Sequence, residues 1–193
     1  MNEIKEHIRS AFKLSEEETN LFLSEFSKVE LKKNDVFAVK GKICHEIGLI
    51  KKGLMKCVYY KNGNEVVFEF AYENSFIADY YSFVTNIPSE KEIRCLEDTT
   101  LYVINRQRLE KLARAYPYIQ GINRKMNENL FLKMHNRLTS FLLKTPSERY
   151  QTLISERQDL AQRIPQYLIA SYLNVKPETI SRIRKRIASQ GIS

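Results

Sequence analysis

The chain has 193 residues, 43% of them hydrophobic, and a formal charge of +8, which is enough material for one large or two small packed domains. No apolar run approaches the ~18–20 residues that a membrane-spanning helix needs. The N-terminal MNEIKEHIRS has no apolar signal segment, so a cytoplasmic protein with no membrane partner is expected.

Cys44, Cys57 and Cys95 are scattered, as are His7, His45 and His135. No spacing suits a disulfide framework or a metal site, so buried thiols in strands, no metal and no cofactor are expected. The charge is uneven. From Asn136 onward ten basic residues face four acidic ones, so +6 of the +8 lies in the last 58 residues, a distribution suited to a polyanion.

In chain order, residues 1–27 read as helical. Ile4, Ile8 and Phe12 recur every four residues, and Ser15 with Glu18 forms a capping box ahead of Leu21, Phe22 and Phe26. From Val29 to Ile104 the pattern changes to short β-rich runs, with strands expected at 36–39, 46–51, 54–60, 65–71 and 99–104. Asn62-Gly63 is a hairpin signal because both residues tolerate positive φ, and Gly41 and Gly53 mark further corners. Short strands with glycine turns and no intervening helix predict a sandwich or jelly-roll barrel.

A short helix is expected at 107–114 and a long one from Pro117 to Lys144. At ~1.5 Å per residue the long helix is roughly 40 Å, too long to be buried against one small barrel. It is therefore expected to make a homodimer, with Ile122, Met126 and Leu130 at the interface. Thr145-Pro146-Ser147-Glu148 restarts the chain as a capping box with proline at the first helical position. This divides the chain into a sensor domain (1–116), a dimerisation helix (117–144) and a C-terminal domain (145–193).

Ile164–Ile187 carries the most functional information. Pro165 opens a helix whose Ile169, Ala170 and Leu173 share a face. Asn174 permits a left-handed turn, Val175 points inward, and Pro177 opens a second helix with Ile180, Ile183 and Ile187 on one stripe. Ala170 supplies the small side chain that two steeply crossing helices need, as in a helix-turn-helix. Opposite the stripe lie Glu178, Ser181, Arg182, Lys185 and Arg186.

The order of parts, the roll glycines Gly41 and Gly53, Phe76-Ile77, TPSERYQTLI at Thr145, RIPQYLIASYLNV at Arg163 and PETISRIRKRI at Pro177 together resemble the Crp/Fnr family of bacterial transcription regulators, in the branch common in Bacteroidetes. The resemblance implies an α+β fold: an N-terminal cyclic-nucleotide-binding-like β-roll with flanking helices, a long dimerisation helix, and a C-terminal winged-helix-like helix-turn-helix domain. Only Ala188 to Ser193 follow the second helix, so the wing is expected to be absent or minimal. The implied function is non-enzymatic: a homodimer regulating transcription on double-stranded DNA through an inverted-repeat operator, with RNA polymerase and a small-molecule effector as further partners.

The family's cyclic-AMP site has a Gly-Glu pair and an Arg-Ser pair. Here Ala78-Asp79 and Lys91-Glu92 stand near those positions, and Glu92 would place a negative charge beside the phosphate. The resemblance thus implies no response to cyclic AMP. Asp79 and Lys91 are expected as solvated loop charges, and Ala78, Asp79 and Lys91 mark where any other effector would bind. No cysteine cluster precedes Cys44, so an iron-sulfur sensor is not implied.

On the second helix Pro177, Glu178 and Arg182 stand at the family's base-reading positions. Glu178 suits a cytosine amino group and Arg182 the O6 and N7 of guanine. Gln166, Thr179, Ser181 and Lys185 are expected at phosphates. The alternative from another class is a small-molecule-binding or cupin-like enzyme with an incidental basic tail, and it would need metal ligands or a catalytic pair in the roll.

Overall fold

The computed structural model describes residues 2–156 and 158–190. The expected absence of a wing falls on 191–193 and lies outside the described residues. The chain forms two compact units, residues 1–60 with 68–128 and residues 61–67 with 129–193.

In the first unit, α1 (Asn2–Phe12) and α2 (Glu16–Ser24) precede the roll. The Ser15 box is present: Ser15 N–H donates to Glu18 Oε2 at 2.8 Å and Glu18 N–H to Ser15 Oγ at 3.1 Å, which satisfies two of the donors that a helix start leaves free. The strands are β1 (Ser27–Leu31), β2 (Val36–Ala38), β3 (Glu46–Lys52), β4 (Met55–Lys61), β5 (Asn64–Ala71), β6 (Phe76–Ile77), β7 (Glu92–Cys95) and β8 (Thr99–Asn105). They form two four-stranded sheets, in the orders β1-β8-β3-β6 and β2-β7-β4-β5. The strand pairs β1–β8, β2–β7, β3–β6, β3–β8 and β4–β7 are antiparallel, as a jelly roll requires.

Ile50, Met55, Cys57, Ile93 and Cys95 belong to the core cluster that both sheets supply. Cys57 and Cys95 lie in strands as expected, whereas Cys44 is buried in a loop; none of the three is in a disulfide. At the β4–β5 hairpin Asn62 and Gly63 both take positive φ, 52° and 78°. Gly53, at φ 118°, is needed for space as well: a Cβ there would lie 2.8 Å from Thr99 Cα.

A helix interrupts the roll where none was expected. α3 (Tyr80–Thr85) follows Asp79 and ends at Asn86 in the left-handed region. α4 (Arg106–Ala115) and the first turns of α5 (Pro117–Leu143) then close over the other face of the β3–β8 sheet. There Leu112, Ile119 and Ile122 join Ile4, Ile8 and Phe22 in a second core.

Ile122, expected at a dimer interface, is 1% exposed within its own chain and belongs to this core instead; Met126 is half-buried against the same core. The helix has a uniform apolar drift, which does not tell its own barrel from a partner. Leu130 is half-buried, and the large apolar side chains left exposed on α5 are Phe131, Leu132, Leu138, Leu142 and Leu143.

In the second unit the rest of α5 is followed by α6 (Pro146–Glu156), α7 (Gln158–Arg163), α8 (Gln166–Tyr172) and α9 (Pro177–Gln190). The Thr145 box holds the α6 start: Thr145 N–H donates to Glu148 Oε2 at 2.7 Å and Glu148 N–H to Thr145 Oγ1 at 3.3 Å. The hairpin tip at 61–67 is part of this unit, since Val67 N–H donates to Ser171 Oγ on α8 at 3.0 Å.

Candidate nucleic-acid interface and roll interior

The α8–α9 pair is assembled around its smallest side chain. Ala170 is fully buried beside Leu168 and Ile169, and Ile180 and Ile183 are buried on α9. Leu173 N–H donates to Ile169 O and Val175 N–H to Ala170 O. Asn174 turns the chain at φ 54°, which an asparagine side chain tolerates better than most. Pro165 is the N-cap of α8 rather than its first helical residue.

On the opposite face of α9, Glu178, Ser181, Arg182 and Lys185 are exposed, while Thr179 is half-buried. Gln166 Nε2 donates to Ser181 Oγ at 3.0 Å and to Pro177 O at 3.3 Å. Two residues expected at phosphates thus tie α8 to the start of α9. Arg186, read as part of the charged face, donates to Ser147 Oγ on α6 at 2.7 Å.

The sequence reading missed the support beneath this face. Arg149 on α6 donates to Lys144 O at 2.7 Å and to Leu173 O at 3.1 Å, joining carbonyls at the ends of α5 and α8. Arg137 on α5 donates to Tyr172 O at 3.2 Å and stacks 4.2 Å from the Tyr172 ring centroid. Both guanidiniums lie about 5 Å from the Phe141 ring, Arg137 at 5.0 Å and Arg149 at 4.9 Å. Burial pulls the Arg149 pKa down. The sequence signal was Arg137 and Phe141 at i, i+4, two residues whose pairing a helix surface brings about.

Within the roll, Asp79 and Lys91 are a buried pair, which corrects the expectation of solvated loop charges. Asp79 is 1% exposed, the Lys91 side chain is 12% exposed, and Lys91 Nζ lies 2.8 Å from Asp79 Oδ1. Ser89, also buried, donates through its hydroxyl to Asp79 Oδ2. Burial alone would push the Asp79 carboxyl up, but hydrogen bonds from Lys91 and Ser89 outweigh it and hold the pKa below the ordinary value. For Lys91, burial pulls the ammonium down and the hydrogen bond to Asp79 outweighs it, so its pKa is raised.

Glu92 faces elsewhere: its Oε1 accepts from Tyr60 at 3.0 Å and from Arg94 at 2.5 Å. Ala78 is half-buried and packs against both roll cores. Burial raises the Cys44 pKa, which keeps that group a thiol. Among the described residues no three His, Cys, Asp or Glu side chains come together as a metal-binding group. Among them also, no helix is long and apolar enough to cross a membrane.

Residues 28–116 match the family model described as Cyclic nucleotide-binding domain. FixK2 from Bradyrhizobium japonicum superposes with a TM-score of 0.76 at 16% identity, covering 86% of each chain. The fold is that of the crp/fnr regulators. A protein assigned to that family from Eubacterium rectale superposes at TM-score 0.69 and 16% identity, over 93% of this chain and 86% of its own. The c-di-GMP responsive global regulator CLP of Xanthomonas campestris gives 0.68 at 14% identity, over 88% of this chain and 90% of its own. No curated protein sequence matches.

Proposed function

We propose that the chain is a homodimeric, sequence-specific DNA-binding transcription regulator that acts in the cytoplasm and does not respond to cyclic AMP. It is read as a regulator and not an enzyme. The observation that carries this is the α8–α9 pair: a buried Ala170 crossing, a left-handed Asn174 turn, and a second helix whose outward face holds Glu178, Ser181, Arg182 and Lys185. The crp/fnr fold supports it, as does the regulatory role named for CLP.

In this reading Glu178 and Arg182 read bases and Lys185 meets phosphate. Gln166 and Ser181, bonded to each other, fix the approach of the reading helix. The dimer forms along the exposed α5 positions Phe131, Leu138 and Leu142, with Met126 and Leu130 flanking and Ile122 left to its own core. Two-fold symmetry then requires an inverted-repeat operator, from which the dimer engages RNA polymerase. The absence of a cyclic-AMP response rests on the Asp79–Lys91 pair, which neutralises the cation near the place a cyclic phosphate would need it.

The test is titration of duplex DNA over a range of salt concentrations. Log affinity falls linearly with log salt, and Lys185→Ala reduces the slope by about 1. Binding that is absent at low salt, or insensitive to salt, overturns the proposal.

A further inference from the structure

The Asp79 carboxylate is held as a ligand would be. Each of its oxygens has its own partner: Lys91 Nζ forms an ion pair with Oδ1 at 2.8 Å, and the Ser89 hydroxyl donates to Oδ2. Ser89 Oγ in turn accepts from Lys91 N–H at 3.1 Å, which locks the two donors together. Behind the ammonium stand two rings at right angles, with centroids 5.5 Å apart. Lys91 Nζ lies 5.1 Å from the Phe68 centroid and 5.8 Å from that of Tyr59. These rings favour the cation from their side and leave its anion to come from the other. The carboxylate comes from a different segment: Asp79 precedes α3, and Ser89 and Lys91 follow it.

We propose that Lys91, Ser89, Tyr59 and Phe68 form a carboxylate-type anion site inside the roll, and that the chain fills it with its own Asp79. The site is the same in kind as one for a small anionic effector, with the anion supplied covalently. Lys91 is therefore satisfied with no added ligand. This rests on, and deepens, the reading that the roll does not take cyclic AMP.

The experiment uses the full chain, sodium acetate as the probe, and sodium chloride at matched ionic strength and pH as the reference. Asp79→Ala removes the internal anion and leaves a buried ammonium without a partner, lowering Tm by roughly 10 °C. Acetate entering the vacated space restores roughly 3–5 °C at a tenfold excess over its Kd. Asp79→Ala/Lys91→Met shows no acetate effect, and neither does the wild type.

A folded Asp79→Ala that ignores acetate overturns the proposal, as does an acetate response that survives in the double variant or is already present in the wild type. Labelling of the wild type with a neutral acylating reagent, read by mass spectrometry, decides the matter even if Asp79→Ala does not fold. Lys91 should be modified at least tenfold more slowly than the exposed Lys111, and equal rates overturn the proposal. No DNA enters either experiment, so a failure of DNA binding is told apart from a failure here.

Discussion

Arg149 is the residue by which the second unit should be most sharply perturbed without touching the face proposed to meet DNA. Its guanidinium donates to carbonyls at two helix ends, Lys144 O and Leu173 O, and stacks on Phe141. A hydrogen bond to a charged group is worth ~1.5–3 kcal/mol and a partly exposed cation–π contact ~0.5–1 kcal/mol. Because Arg149 is only half-buried, the low end of each range applies, and Arg149→Ala should cost about 3.5 kcal/mol.

Arg149→Lys keeps the charge but cannot span both carbonyls, since an ammonium lacks the planar fork. It should cost about 1.5–2 kcal/mol, a Tm fall of roughly 3–8 °C for a chain of this size. Thermal unfolding followed by circular dichroism measures both variants, and hydrogen exchange should locate the loss in α6 and α8. If Arg149→Lys is as stable as the wild type, the two-carbonyl tie is not what holds α8.

Three further outcomes follow from the geometry. Leu138→Asp and Leu142→Asp should give a folded monomer by light scattering with little change in Tm, whereas Ile122→Asp should unfold the roll because it buries an unpaired charge. Gly53→Ala should cost about 3 kcal/mol by urea denaturation, since the new Cβ meets Thr99 at a φ unsuited to alanine.

The third outcome concerns pH. The folded-state pKa of Asp79 lies below that of an unfolded aspartate, ~3.9. Its stabilisation is therefore fully present above about pH 5 and is lost as pH falls through the folded value. Urea midpoints measured from pH 6 to pH 2.5 should fall steeply at the acid end for the wild type and less steeply for Asp79→Asn. Asp98 and Glu148, also lowered, are exposed and contribute little to that slope.

The features legible in the sequence are those set by local chemistry. The Ser15 and Thr145 boxes, the Asn62-Gly63 turn and the Ala170–Asn174 crossing each depend on a few neighbouring residues, and each is present. β1 was missed because SKVEL carries little apolar alternation and owes its strand to pairing with β8, seventy residues away. α3 was missed because YYSFVT, with its aromatic and β-branched side chains, resembles a strand and is helical only in its tertiary setting.

The site errors share a cause. Asp79 and Lys91 look like loop charges twelve residues apart until α3 folds one segment back on the other. Ile122 has the spacing of an interface, but α1, α2 and the sheet of its own chain reach it first.

We propose that two copies of α9 read one operator. Selection of binding sites from random duplex DNA tests it most directly. The expected result is recovery of an inverted repeat with half-sites about 10–10.5 bp apart centre to centre, and relaxation of one symmetric base position when the selection is repeated with Arg182→Ala. Recovery of no shared sequence, or of an unrepeated site unchanged by Arg182→Ala, would contradict it.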